Sequence, residues 1–272
     1  MPGASVGSVV SLWRYPVKSM MGEELNAADI TERGLLGDRV YALVDPTNGK
    51  VASVKNPAKW AKLFDCRAAF VAPPRRDTKI PALWITLPDG RLITSEQPNL
   101  NEILSQAVGR VVTVAATAPK TPSLEEYWPK IEGLAHQETV TDERMPPDTF
   151  FDCAVIHVLT TATLDYLREL YPQGRFEVRR FRPNMVVEAT LGEKGFVENA
   201  WVGQTLLVGE RVRLKVTGPC PRCVMTTWPQ GDLPKDPGIL RTAAKHNNAN
   251  VGVYASVVQG GTARRGDPVR LE

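Results

Sequence analysis

Apolar residues in this chain recur mostly at every second position, in short runs broken by turn residues. Residues 6–13 alternate in this way and read as a strand. Residues 40–44 and 51–54 flank the turn Asp45-Pro46-Thr47-Asn48-Gly49, and 83–87 and 92–94 flank Pro88-Asp89-Gly90, which predicts two hairpins. Helical spacing appears in three places. Leu100, Ile103, Leu104 and Ala107 repeat at three and four residues, with Asn99 or Asn101 available as cap, and a short strand follows over 111–116. A buried strand over 154–159 runs through Thr160 and Thr161 into a helix whose Leu164, Leu167 and Leu170 share one face. Further strands are predicted at 184–187, 205–208, 212–216, 224–227, 251–258 and 269–271, with a helix over 239–245. Many short strands with few helices predict a closed or nearly closed β-barrel.

Residues 117–150 break the pattern. Pro119, Pro122, Pro129, Pro146 and Pro147 interrupt a stretch rich in Thr and charge with no sustained period, which reads as a linker or a long wrapping loop. A chain of 272 residues is long for a single core, so the expected organisation is two closely packed domains, 1–117 and 118–272, with 118–150 as the linking or wrapping segment. No internal repeat or low-complexity tract is visible.

Charge narrows the function classes. A formal net charge of +3 with Arg and Lys spread along the chain does not point to nucleic acid. The densest basic cluster, Arg179-Arg180-Phe181-Arg182, reads either as a solvated face or, because a strand follows it, as a site where Arg182 meets a small anion. The start Met1-Pro2-Gly3-Ala4-Ser5 is unlike a targeting signal and no apolar run nears membrane length, so a soluble, cytoplasmic protein without a membrane partner is expected. Four cysteines without a regular framework suit a reducing compartment.

Two of those cysteines lie in Cys220-Pro221-Arg222-Cys223. A thiolate is a strong nucleophile and a soft metal ligand, and a neighbouring guanidinium favours the charged form. Taken alone, the pair has several readings. A structural zinc site needs further ligands, and only Cys66, Cys153, His136, His157 and His246 are available, all scattered. A thioredoxin-like dithiol should open a helix, whereas 224–228 is β-branched and then meets Pro229. Two inert buried thiols are the third reading.

Five segments in order resemble the MOSC family, in the two-part form with an N-terminal β-barrel domain to which the mitochondrial amidoxime-reducing components belong. They are Leu12-Trp13-Arg14-Tyr15-Pro16-Val17-Lys18-Ser19, Gly37-Asp38-Arg39, Phe181-Arg182-Pro183-Asn184, Cys220-Pro221-Arg222-Cys223 with Thr226-Thr227, and Gly266-Asp267-Pro268-Val269. The resemblance implies a mostly β, α+β fold, with an N-terminal β-rich domain packed on a C-terminal MOSC-type β-barrel carrying peripheral helices. It implies a molybdenum cofactor, in which a pterin dithiolene holds the metal and Cys223 adds a protein sulfur. Lys18, Arg39 and Arg182 suit an anionic pterin phosphate, and Ser19, Thr160 and Asn184 can add neutral hydrogen bonds. Thr160 also reads as a helix cap. Arg222 is expected to bias the ligand thiol toward thiolate, and Cys220 to support the loop or to act as a redox partner.

The same resemblance implies reduction of N-oxygenated compounds such as N-hydroxylated amidines. The chain contains no Gly-rich dinucleotide fingerprint and no ferredoxin-like cysteine set, so a separate flavin or iron-sulfur protein is the expected electron donor. Two rival readings use the same residues: sulfur transfer through a Cys223 persulfide, and a cofactor carrier without turnover. Asp232 is a proton-donor candidate by sequence proximity, against a stronger reading as a solvated turn residue. After Thr226-Thr227 the chain reads Trp228-Pro229-Gln230-Gly231-Asp232 instead of the acidic, proline-containing turn usual in amidoxime reductases, which bears on substrate class. The membrane anchor of the mitochondrial relatives and the iron-sulfur extension of some bacterial ones are not recognisable.

Overall fold

A computed structural model describes residues 3–190 and 192–272. Seven strands close a barrel in the order Met185–Ala189, Ile156–Thr160, Asn250–Gln259, Val212–Pro221, Thr205–Val208, Pro268–Leu271 and Ala4–Arg14, the last pairing back onto the first. The strand Ala4–Arg14 is thus a barrel member although it opens the chain. It also pairs with the short strand Glu23–Leu25. The alternation read in the sequence sends Val9, Leu12, Val158, Met185, Val187, Leu206, Leu214, Val253, Ala255 and Val269 into one apolar interior. Gly266 donates its backbone N–H to Val9 O (2.7 Å) and Val9 returns one to Asp267 O (2.9 Å), so the Gly-Asp-Pro-Val motif ties the end of the chain to its beginning.

After Arg14 the chain leaves the barrel and builds a second core from Leu43, Val54, Trp60, Leu63, Phe64, Leu83, Ile85 and Leu104. The hairpin Leu83–Thr86 with Leu92–Thr94 forms as predicted, and the helix is Leu100–Val108. The first predicted hairpin is looser: Ala42–Val44 meets Val51 through a single bridge and takes Thr113–Ala115 as its partner strand.

Two further expectations are corrected. Residues 117–150 are not structureless: Ser123–Trp128 and Thr139–Arg144 pair in register as an antiparallel hairpin. Their burial alternates, but Glu126 and Glu143 take inward positions beside Leu124, so the period-two hydrophobic signal is hidden. The predicted strand over 224–227 is the 3-10 helix Val224–Thr227, which turns Met225 into the amino-terminal core. The helices Thr161–Leu170 and Pro237–Asn247 pack outside the barrel on a small cluster of Leu159, Leu164, Leu167, Phe176, Phe181 and Ile239. Among the described residues no helix is long and apolar enough to cross a membrane.

Candidate cofactor site

Between the barrel and the amino-terminal core lies a cavity of about 400 Å³, and Lys18, Ser19, Arg39, Arg182, Asn184, Arg222 and Cys223 all line it. Chain segments far apart in sequence reach it for local reasons. The strand Val212–Pro221 alternates inward and outward, with a bulge between Val216 and Gly218, so that Cys220 is fully buried. Pro219 and Pro221 offer no N–H to the ladder, and the chain turns away. Cys223 therefore emerges beyond the strand, half-buried at the cavity and packed against the amino-terminal core. The two cysteines are not equivalent.

Backbone strain concentrates here. Eight described non-glycine residues have positive φ, and five of them, Ser19, Arg39, Arg182, Asn248 and Ala249, line the cavity. Each such residue costs roughly 1–3 kcal/mol, and such conformations cluster at functional sites. Gly37, two residues before Arg39, has φ of 85°, and a Cβ there would stand 2.6 Å from the Phe70 ring, so the position requires glycine.

The cations are held from behind. Asp38 is the hub: its carboxylate accepts from Tyr15 N (2.7 Å), from Asn184 Nδ2 (2.9 Å) and from Arg39. Tyr15 then spaces two guanidinium groups, with Arg39 and Arg182 lying 5.0 and 4.2 Å from its ring centroid. Arg182 donates to Met20 O (2.8 Å), and burial lowers its pKa to about 10. Asn184 Oδ1 accepts from His157 N (3.1 Å), so this side chain is fixed at both ends. Lys18 Nζ donates to Phe150 O (2.8 Å) and Asp152 (2.9 Å); burial pulls its pKa down, and Asp152 opposes that. Burial presses the Asp152 carboxyl upward, but Lys18 and Lys55 outweigh it and hold the group well below the usual carboxylate range.

Two expectations about site residues fail, and several cavity residues carry no sequence signal. Thr160 does not line the cavity: its hydroxyl accepts from Thr163 N (3.1 Å) as the N-cap of Thr161–Leu170 and donates to buried Glu198 (2.7 Å). Thr160→Val should therefore destabilise the fold by about 2 kcal/mol through the lost cap and the loss of one of the two hydroxyl hydrogen bonds to Glu198, without changing what the cavity binds. Paired denaturation and cofactor-content measurements check this. Arg222 does not aim at Cys223. Its Nη1 donates to Cys220 Sγ (2.7 Å) and its Nη2 to Phe181 O (2.8 Å). Burial pushes the Cys223 thiol up to about 12, Glu126 adds to the rise, and Lys55 and Arg222 only partly oppose it. Asp232 is a surface residue paired with Arg175 and Arg179, outside the cavity.

Tyr15 and Asp38 sit within motifs and were legible only as neighbours, and Asp152 lies in none. Lys55, Glu126, Trp128 and Glu143 carry no motif. They reach the site because the hairpin from the supposed linker folds over it, with Lys55 donating to Glu126 (2.8 Å). Burial works to discharge the Lys55 ammonium, but Asp152, Cys223 and Glu126 hold its pKa well above the ordinary lysine value.

His157, from the strand Ile156–Thr160, also lines the cavity and donates from Nε2 to Val251 O (3.1 Å). Burial, with Arg222 nearby, lowers its pKa from 6.5 to about 3. The imidazole stays neutral in the fold while the unfolded chain takes up a proton below pH 6.5. Its contribution is whole above that pH and is lost as pH falls toward 3. By pH 5 the loss is about 2 kcal/mol, and urea midpoints at pH 7 and 5 for wild type and His157→Phe should show the variant with the smaller drop.

The residues fit an anionic, metal-bearing cofactor. Buried Arg182 and half-buried Arg222 have no carboxylate partner among the described residues, and Arg222 Nε is buried with no hydrogen-bond partner. The described residues contain no cluster of three or more His, Cys, Asp or Glu able to hold a metal by themselves. A soft metal here would take one thiolate from the protein and bring its other donors with it.

Comparisons with known proteins agree with this layout. The family model "MOSC N-terminal beta barrel domain" matches residues 6–63 and "MOSC domain" matches 146–270. Over 97% of its length the chain is 26% identical to mitochondrial amidoxime reducing component 2 of Rattus norvegicus, covering 83% of that protein. It is 25% identical to mitochondrial amidoxime-reducing component 1 of Homo sapiens, with 98% and 83% covered. The crystal structure of the YUAD protein from Bacillus subtilis superposes with a TM-score of 0.51 at 11% identity, covering 100% of this chain and 98% of that one, which shows a shared fold. With the two domain matches in order and the closed mostly β barrel between the chain's two ends, this is a MOSC-domain protein with a MOSC N-terminal β-barrel domain, similar to the mitochondrial amidoxime-reducing components.

Proposed function

We propose that the chain is a molybdenum-cofactor-dependent oxidoreductase that reduces N-oxygenated compounds, N-hydroxylated amidines among them. The observation that carries this reading is the half-buried thiol of Cys223 at a cavity lined by Lys18, Arg39, Arg182 and Arg222, of which only Lys18 and Arg39 have a carboxylate partner among the described residues; exposed Cys153 also lines it. Lys18, Arg39, Arg182 and Arg222 would hold the pterin's phosphate, and Ser19 and Asn184 would add neutral hydrogen bonds. Cys223 would be the protein ligand, losing its proton when it meets the metal. The cofactor, when bound, supplies a two-electron centre for oxygen-atom removal. The hairpin Ser123–Trp128 with Thr139–Arg144 roofs the cavity with Leu124 and Trp128 and so limits water access.

The net change is an amidoxime plus two protons and two electrons giving an amidine and water. The electrons come from a separate flavin or iron-sulfur protein. All four cysteines are free thiols, which supports a reducing compartment such as the cytoplasm.

The test is molybdenum and pterin analysis of protein made in a molybdenum-replete host, followed by reductant-dependent turnover of a panel of N-hydroxylated compounds. Stoichiometric molybdenum with turnover supports the reading. Metal-free protein bearing sulfane sulfur on Cys223 replaces it with sulfur transfer, and bound molybdenum without turnover replaces it with a cofactor carrier.

A further inference from the structure

The two strands of the hairpin over the cavity are tied down by ion pairs at each of their carboxylates but one. Glu125 pairs with Lys59 (2.7 Å) and Lys50 (3.5 Å), Asp142 with Lys50 (2.6 Å), and Glu126 with Lys55 (2.8 Å). Glu143, which lines the cavity, has no cationic partner among the described residues. It is nevertheless fixed in place. Trp128 Nε1 donates to Thr141 Oγ1 (2.8 Å), whose own proton goes to Glu143 Oε1 (2.6 Å). Trp128 lines the same wall, and His136 stands edge-on to its ring at 5.1 Å. The second oxygen of Glu143 makes no hydrogen bond to the described residues.

The cavity therefore has two unlike walls. One, from Lys18, Arg39, Arg182 and Arg222, attracts an anion. The other presents a flat aromatic ring beside a carboxylate that no protein cation neutralises. An anionic cofactor is repelled by that second wall and leaves it facing whatever enters next. A flat group with in-plane N–H donors and positive charge satisfies both of its features: the donors meet the carboxylate and the π-face meets the indole.

We propose that Trp128 and Glu143 are the specificity-determining residues of this cavity, selecting aryl amidine-type groups over anionic or donor-free N-oxygenated compounds. This rests on the oxidoreductase reading for its chemistry. Reduction consumes two protons and two electrons to give amidine and water, and the amidine takes one more proton from solvent to become amidinium. The product is then the best ligand for the wall and a product inhibitor.

Benzamidine titrated into the full-length protein by calorimetry tests the wall directly. Wild type should bind benzamidine, with Glu143→Gln weakening it roughly tenfold, as expected for one charge-assisted hydrogen-bond pair. Glutamine still accepts from Thr141, so the hairpin stays intact. Trp128→Leu should weaken binding several-fold, while the uncharged isostere benzamide should be insensitive to Glu143→Gln. In cofactor-loaded protein N-hydroxybenzamidine enters uncharged and its product leaves as amidinium, so Glu143→Gln should weaken inhibition by benzamidine roughly tenfold while changing KM for N-hydroxybenzamidine only a few-fold, at unchanged molybdenum content. If turnover occurs but both variants keep wild-type benzamidine affinity and inhibition, the inference is wrong and the functional reading stands. If both variants lose benzamidine affinity in a chain that takes up no molybdenum, the site stands and the functional reading fails.

Discussion

Cys223→Ser should yield a folded protein that no longer retains molybdenum. The substitution keeps the shape of a half-buried side chain, so the thermal midpoint should move by less than about 1 kcal/mol in stability. What changes is chemistry. A thiol whose pKa burial has pushed up to about 12 still ionises when a metal displaces its proton, and the resulting sulfur is a soft donor. A serine hydroxyl is hard and holds its proton more tightly. Cys220→Ser is the contrasting variant. Its sulfur is fully buried and accepts from Arg222, so that change should lower stability and loosen the loop while leaving substantial metal bound. Elemental analysis with thermal unfolding on both variants checks the assignment. Metal retained in Cys223→Ser and absent in Cys220→Ser would reverse it.

Asp38→Ala should be among the most destabilising single changes in the molecule, at about 3–5 kcal/mol. Its side chain is completely buried and accepts from a backbone N–H, an amide and a guanidinium at once. Removing it leaves Arg39 without its counter-charge and frees Asn184, so cofactor content should fall together with stability. Urea unfolding should show a lower midpoint at an unchanged slope. An unaltered midpoint would mean that Arg39 and Asn184 find other partners and that the Gly-Asp-Arg segment is not the hub described above. The comparison with Thr160→Val is instructive, since that change should reduce stability without touching cofactor content.

Much of the barrel could be read before any coordinates. The alternation at 6–13, 205–208, 251–258 and 269–271 marks strands because one face of each meets a shared interior. The capped helix after Thr160 was legible because an N-cap hydroxyl followed by apolar spacing is a local signal. The failures have local causes too. Val224-Met225-Thr226-Thr227 has strand propensity, yet tertiary packing of Met225 against Trp60 and Phe64 in one core holds it in a 3-10 turn. The hairpin of 123–144 was unreadable because its charged residues are paired with Lys50, Lys55 and Lys59, which lie 66 to 92 positions away in the chain.

The sequence by itself named residues that come to line one cavity: the basic residues at 18, 39 and 182, the amide at 184 and the thiol at 223 lie in short motifs, since each motif also encodes the turn that holds it. Only the tertiary structure gave the reason that Cys223 and not Cys220 reaches the cavity, because that depends on a bulge and two prolines ending a strand. It also decided that the first strand closes the barrel built by the last, and that Trp128 and Glu143 share the cavity with Cys223. Those facts rest on contacts between distant segments, and no local pattern of hydrophobicity or charge encodes the partner of a long-range contact.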